Sequence, residues 1–204
     1  MAPGISPVLM LASASPRRSA LLRQIGVAHE VMPAAIEEAR MAGERAEICV
    51  QRLAQQKAQF VYTQLAGARP TLGADTAVVI DEVMLGKPRD RAEAVAMLVR
   101  LSGRAHRVLS AVALMTAAGA QVALSESEVL FRRIDGAECA AYWDSGEPRD
   151  KAGGYAIQGL GAVFVARLRG SYSGVMGLPL FETAQLLRAA GIDYARGAGG
   201  PVAP

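Results

Sequence analysis

The 204-residue chain holds two cysteines, two histidines and one tryptophan. Cys49 and Cys139 are far apart and sit in helix-like stretches without metal-ligand spacing. That excludes a disulfide framework and a cysteine zinc site, and the expectation is two reduced, half-buried thiols. His29 and His106 are isolated, so a histidine-ligated metal centre is excluded too. Aromatics make up 5% of the sequence, which leaves Leu, Val, Ala and Ile to fill the core. No apolar run approaches the roughly 20 residues that span a bilayer. The first six residues carry neither a basic region nor a long apolar segment, so no secretory signal is expected and the location expected is cytoplasmic. Charge of one sign is also scarce. A formal net charge of +3 suits an anionic small molecule as well as nucleic acid.

What is present fits one globular domain, or two closely packed lobes, with 51% hydrophobic and 20% charged residues. The patterning predicts strands near 8–12, 30–32 and 71–80, the last interrupted at Asp75. Further strands are predicted over 108–115 and 121–132, joined by a turn at 117–120, and near 155–157 and 162–168. Helices are predicted from Ser15-Pro16, with Ser15 as N-cap and Pro16 at the first position, over 44–65, from Asp90 to Leu101, from Asp135 to Asp144, and over 180–190. Strands alternating with helices indicate an α/β protein with a mixed sheet. The domain expected is 1–195, followed by a Gly-, Ala- and Pro-rich disordered tail over 196–204.

Several residues stand out chemically, each with two readings. Ser13-Ala14-Ser15-Pro16-Arg17-Arg18 joins a buried strand to a helix N-terminus, where free N–H groups favour an anion and Ser13 adds a hydroxyl. An ordinary capped helix with two solvated arginines fits the same letters. Lys57 shares a helix face with Leu53 and Val61, so it either snorkels to water or pairs with an anion. Asp75 lies in Leu72-Gly73-Ala74-Asp75-Thr76-Ala77-Val78-Val79-Ile80, where a carboxylate is costly to bury unless paired; a turn aspartate is the alternative. Lys87 in Gly86-Lys87-Pro88 is a lysine held by a tight loop, or a solvated turn residue. Glu37 and Glu38 point apart, so at most one faces a shared site. Gln158, in a glycine- and charge-rich segment, offers the donor and acceptor that suit a base edge, as well as fitting a flexible surface loop.

Taken in order, these segments resemble the Maf family of nucleotide pyrophosphatases. The likeness includes Leu11-Ala12-Ser13-Ala14-Ser15-Pro16-Arg17-Arg18, Arg52-Leu53-Ala54 with Lys57-Ala58, Gly73-Ala74-Asp75-Thr76 and Gly86-Lys87-Pro88. It continues through Leu101-Ser102-Gly103 with His106, Gly146-Glu147-Pro148 with Asp150-Lys151-Ala152-Gly153, Ile157-Gln158-Gly159, Gly170-Ser171-Tyr172-Ser173 and Gly177-Leu178-Pro179-Leu180. The resemblance implies a two-lobed α/β fold with a central cleft, like that of inosine triphosphate pyrophosphatases, a divalent metal (Mg2+ or Mn2+) and often a homodimer. The Lys151-Ala152-Gly153 and Ile157-Gln158-Gly159 wording is similar to the branch acting on dTTP and UTP; the branch acting on 7-methyl-GTP has Ser-Glu-Gly in place of Ile-Gln-Gly. Ala156 replaces a glycine usual in the first branch, and Ser127 a common threonine.

By position the resemblance makes Asp75 the catalytic group and ties Arg17, Thr76 and Gln158 to substrate choice. The expected reaction is attack of water on the α-phosphorus, releasing pyrophosphate. Ser13, Arg17, Arg18, Lys57, Thr76, Lys87 and Gln158 would bind the nucleotide, and Glu38 and Asp75 would hold the metal. Stable nucleic-acid or membrane partners are not expected. Two readings stand beside this one: a pocket for modified or 7-methyl-guanosine triphosphates, and a regulatory nucleotide- or nucleic-acid-binding protein acting in septum inhibition.

Overall fold

In the computed structural model, residues 9–194 are described; the tail expected over 196–204 lies outside them. The chain opens with β1 (Leu9–Leu11) and α1 (Pro16–Gln24). Pro16 takes the first helical position as expected, but the Ser15 side chain caps nothing; instead its N–H donates to Ser13 Oγ at 3.2 Å. β2 (His29–Val31) follows, then an irregular segment over 32–45 and the long α2 (Ala46–Gln64). β3 (Thr71–Ile80), β4 (Val83–Leu85) and α3 (Arg91–Leu101) come next. Asp90 caps α3 by accepting the Glu93 N–H at 2.8 Å, while the Glu93 carboxylate reaches back to the N–H of Arg89 at 2.7 Å. β5 (Ala105–Thr116) and β6 (Gly119–Phe131) form a hairpin closed by Ala117-Ala118. α4 (Gly136–Asp144) is capped by Asp135, which accepts the Glu138 N–H at 2.8 Å. Three 3-10 turns, β7 (Val165–Arg169), α5 (Tyr172–Met176) and α6 (Leu180–Ala189) complete the chain.

Three expectations are corrected. Residues 155–157 are not a strand: Tyr155, Ala156 and Ile157 are buried in a turn between 3-10 segments, so their apolarity reflects burial and not pairing. β4 and α5 are too short to have shown a period. Asp75 does not interrupt β3, because it pairs in register with Ala111 of β5. Both cysteines are fully rather than half buried, and unpaired.

The sheet runs β2-β1-β3-β5-β6-β7, with β4 also on β3. β5 covers one edge of β3 from Thr71 to Val79. The other edge is divided. β1 pairs with it in parallel at Thr71 and Leu72, and β4 antiparallel at Val78, Val79 and Ile80. Among the described residues, no strand covers 73–77 on that side, so the sheet forks there.

Helices cover both faces, as the near-continuous apolar run of β3 requires. α1 and α6 pack Leu21, Leu22 and Leu187 against Leu9, Leu11, Leu72 and Ala74. α2 packs Val50, Ala54 and Ala58 against Ala77, Val79 and Leu109 on the opposite face. The β1–β2 connection through α1 passes over one face and the β2–β3 connection through α2 over the other, so the sheet is wound in both directions about β1. Crevices outside the carboxyl ends of such strands are where α/β sheets bind ligands. A separate core joins α3, α4 and the 3-10 turns through Leu98, Leu101, Phe131, Tyr142, Tyr155 and Phe164. One core thus lies under α1 and α6 and another under α3 and α4. No helix among the described residues is long and apolar enough to cross a membrane.

His106 belongs to the second core. Its Nε2 lies 2.8 Å from the Tyr155 hydroxyl, and its ring meets Phe131 and Tyr155 edge-on. Burial pushes its pKa down to about 4. The neutral ring is favoured in the folded state, so its contribution to stability is complete above pH 6.5 and is lost as the pH falls toward 4. The loss attributable to this residue is about 3 kcal/mol. Urea titrations at pH 7.5 and 4.5 should show a smaller acid loss for His106→Gln than for the natural chain; equal losses would contradict the assignment.

Candidate active site

Gly73 brings α2 and β3 together at the fork. A Cβ there would lie 2.2 Å from the Ala54 carbonyl oxygen and 2.6 Å from the Ala58 nitrogen, so only glycine permits this approach. One turn along α2, Lys57 meets Asp75 of β3 at 2.7 Å. Both side chains are nearly buried, and the Lys57 ammonium also reaches Glu38 Oε1 at 2.9 Å. Glu38 sits on the exposed 32–45 segment that covers this end of α2. Lys57 thus pairs with an anion and does not snorkel, which settles the alternative its sequence position left open. Burial drives the Asp75 pKa above the ordinary carboxylate value and Glu38 adds to the rise, while Lys57 and then Arg18 oppose it.

Thr76 points to the opposite face from Asp75. Arg18, in the first turn of α1, is braced beneath it: Nε donates to the Gly177 carbonyl at 2.7 Å, Nη1 to Ser13 Oγ at 3.1 Å and Nη2 to Thr76 Oγ1 at 3.4 Å. Burial lowers the Arg18 pKa, opposed chiefly by the nearby Asp75 charge. Ser110 donates to the Gly174 carbonyl at 2.6 Å, so in its 3.0 Å contact with Thr76 the threonine is the donor. Hydrogen bonds therefore run in one direction from Arg18 through Thr76 and Ser110 to α5.

Across the cleft, Arg17 Nη1 meets Asp150 Oδ2 at 3.2 Å, and Lys151 pairs with the other Asp150 oxygen. Lys87 is exposed on the loop after β4, a loop fixed to the facing 3-10 turn by the Gly153 N–H on the Gly86 carbonyl at 3.0 Å. Gln158 is exposed on the turn after Ile157.

All nine residues expected from the sequence, Ser13, Arg17, Arg18, Glu38, Lys57, Asp75, Thr76, Lys87 and Gln158, line one cavity of about 710 Å3. Glu37 does not line it, so Glu38 is the member of that pair that faces inward. Sequence reasoning missed Arg40, Asp150 and Lys151 in the lining, and Ser110 behind it. Asp150 and Lys151 belong to a charged, glycine-rich loop legible as pocket-shaping, but their pairing with Arg17 spans 133 positions and left no local trace. The lining carries six cationic side chains against three carboxylates, a balance that suits a polyanion. Glu38 and Asp75 converge on a single point, the Lys57 ammonium. Two carboxylates are oxygen donors of the kind a divalent cation takes, and here they share the Lys57 ammonium. Among the described residues no group of three or more His, Cys, Asp or Glu is placed to hold a metal by itself.

Replacing Gly73 by Ala forces backbone apart from backbone. The substitution should cost about 3 kcal/mol in chemical denaturation, and an unchanged midpoint would contradict the close approach of α2.

Residues 8–190 match the family described as Maf-like protein. The dTTP/UTP pyrophosphatase of Alkalilimnicola ehrlichii is 51% identical over 201 residues, covering 96% of this chain and 99% of that one. That of Saccharophagus degradans is 53% identical over 185 residues, covering 89% and 88%. A crystal structure described as nucleoside-triphosphatase / dITP/XTP pyrophosphatase, from Mycobacterium abscessus, covers 89% of this chain and 93% of its own at 20% identity, with a TM-score of 0.47. With the family match running over nearly all of the described fold, and half of all positions shared with relatives of the same length, the chain belongs to the Maf family.

Proposed function

We propose that this protein hydrolyses pyrimidine nucleoside triphosphates, dTTP and UTP foremost, to the monophosphate and pyrophosphate. The observation that carries the reading is the buried Lys57–Asp75 pair at the floor of a cavity whose walls are predominantly cationic. The activity named for relatives at half identity agrees with it. In this reading the triphosphate lies along Arg17, Lys57, Lys87 and the N-terminus of α1, where fixed positive charge stabilises the departing pyrophosphate. Ser13 adds a hydroxyl donor. Arg18 contributes charge, but three of its N–H donors are already spent within the protein.

Asp75 is the general base. Its Oδ1 is taken by Lys57, and Oδ2 accepts a proton from the attacking water. A carboxylate whose pKa is raised by burial is a better base than a solvated one. Lys57 holds the group in place and favours its ionised form. Glu38 and Asp75 would hold a Mg2+ or Mn2+ ion, which when bound offsets phosphate charge and acidifies water. Gln158, on the rim, reads the base through its paired donor and acceptor. A binding function without turnover fits less well, because three carboxylates facing an anion-binding cleft weaken binding.

Pyrophosphate release from dTTP and UTP should fall by about 10²–10⁴-fold in Asp75→Asn; near-normal turnover would sink the assignment. Lys57 lowers the Asp75 pKa, so Lys57→Met should move the acid limb of the rate profile to higher pH. A limb that stays in place would show that Asp75 does not govern it. A nucleotide panel of dTTP, UTP, CTP, dGTP and 7-methyl-GTP tests the base, and preference for the purines would overturn it.

A further inference from the structure

The turn that carries Gln158 to the rim is held at both ends by two side chains that do not line the cavity. Tyr142 of α4 accepts the Ala156 N–H on its Oη at 3.1 Å and donates to Glu147 Oε1 at 2.6 Å. The Glu147 carboxylate then accepts the Gly161 N–H at 2.9 Å and the Leu160 N–H at 2.8 Å. One tyrosine and one carboxylate thereby bind the residue two before Gln158 and the residues two and three after it. The spacing leaves no room for side chains. A Cβ on Gly159 would come 2.1 Å from Glu147 Oε2, and one on Gly161 would come 2.6 Å from Tyr142 Oη. Edge-on packing against Phe164 at 5.0 Å seats the Tyr142 ring. Burial by itself would raise the Glu147 pKa, but the Tyr142 hydroxyl and the two backbone N–H groups bring it below its ordinary value, so it stays an acceptor.

The chemistry of base reading requires such a device. Uracil and thymine present a ring N–H between two carbonyls, and cytosine presents a ring nitrogen acceptor beside an amino donor. A carboxamide turned by 180° satisfies either edge. Gln158 on a loose turn would therefore accept both bases, and discrimination needs a backbone that restricts its approach. We propose that the Tyr142–Glu147 pair is the positioning device for Gln158, setting pyrimidine discrimination without touching the nucleotide. This rests on the proposed function, with Gln158 as the base reader.

The test compares kcat and KM for UTP and CTP in the natural chain, Glu147→Gln, Tyr142→Phe, Gln158→Ala and the Glu147→Gln/Gln158→Ala double variant. Glu147→Gln sets an amide among three donors, and Tyr142→Phe removes the bridge while keeping the ring and the carboxylate. Each should reduce the UTP-to-CTP ratio of kcat/KM about tenfold, mainly through a higher KM for UTP, with kcat changed less than about threefold. The double variant should lose no more discrimination than Gln158→Ala alone, because both substitutions remove the same contact. An unchanged ratio in folded Tyr142→Phe would overturn the proposal, as would an equal fall in kcat on both nucleotides or additive losses in the double variant. Tyr142→Phe carries the test if Glu147→Gln fails to fold. A natural chain that hydrolyses neither nucleotide, or both equally, would instead overturn the functional reading and this inference with it. Discrimination in the natural chain that survives the variants overturns the positioning role alone.

Discussion

The contact between Gly73 and the backbone of α2 sets the position of the buried ion pair at the centre of the cavity. A helix normally stands off a sheet by the length of its side chains. Here the missing Cβ lets Ala54 and Ala58 come down onto β3, so Lys57 reaches Asp75 at 2.7 Å instead of extending to solvent. Among the described residues, the same stretch of β3 lacks a strand partner on that edge, because β1 pairs only as far as Leu72 and β4 begins to pair only at Val78. Close packing on one face and an opening at the edge together place a buried ion pair where a ligand can enter. As a source of stability the pair is poor: replacing both partners of such a pair by well-packed apolar residues is often neutral or favourable, whereas removing one costs about 3–5 kcal/mol. Its effect is to hold a buried carboxylate in a fixed place with an opposing charge beside it.

Arg18 gives the opposite face of β3 a comparable rigidity. Its guanidinium spans Ser13, Thr76 and the Gly177 carbonyl. That ties the loop after β1, the fork in β3 and the end of α5 to one planar group. Since Ser110 spends its only proton on Gly174, Thr76 donates to Ser110, accepts from Arg18 and keeps one lone pair. An acceptor does not grip phosphate, so within the proposed reading Thr76 would meet a donor on the sugar or base.

Much of this was legible in the letters, for physical reasons that differ by residue. Asp75 showed itself because a carboxylate in an apolar strand must be compensated, and Lys57 because its helical phase put it on the buried face. The capping aspartates of α3 and α4 announced themselves through local spacing alone. Ordered motifs over most of the chain then separated an anion site from an ordinary capped helix at Ser13 to Arg18, which no single segment could do. The rest depended on long-range geometry. β4 and α5 are shorter than the window in which a period appears, and residues 155–157 have a strand's composition without a strand's partner. The bracing of Arg18 on Gly177 crosses 159 positions, and Arg17 finds Asp150 133 positions away.

The two arginines of the first loop therefore serve different ends. Arg18 is buried and committed to three protein acceptors, so a ligand gains its charge but few of its hydrogen bonds. Arg17 is partly exposed, and Asp150 is 62% exposed, which limits that bridge to about 1 kcal/mol or less. A phosphate carries more charge than Asp150 and meets the free N–H groups of α1 at the same place. On the proposed reading, exchange of Asp150 for phosphate at Arg17 would cost little, because Lys151 already pairs with the other Asp150 oxygen. The bridge crosses the cleft between the α1/α6 and α3/α4 cores, and it is the weak contact that a polyanion would replace on the proposed reading. At the floor, the buried Lys57–Asp75 pair offers no such exchange. On the proposed reading a polyanion would therefore displace the rim contact and leave the Lys57–Asp75 pair as it stands.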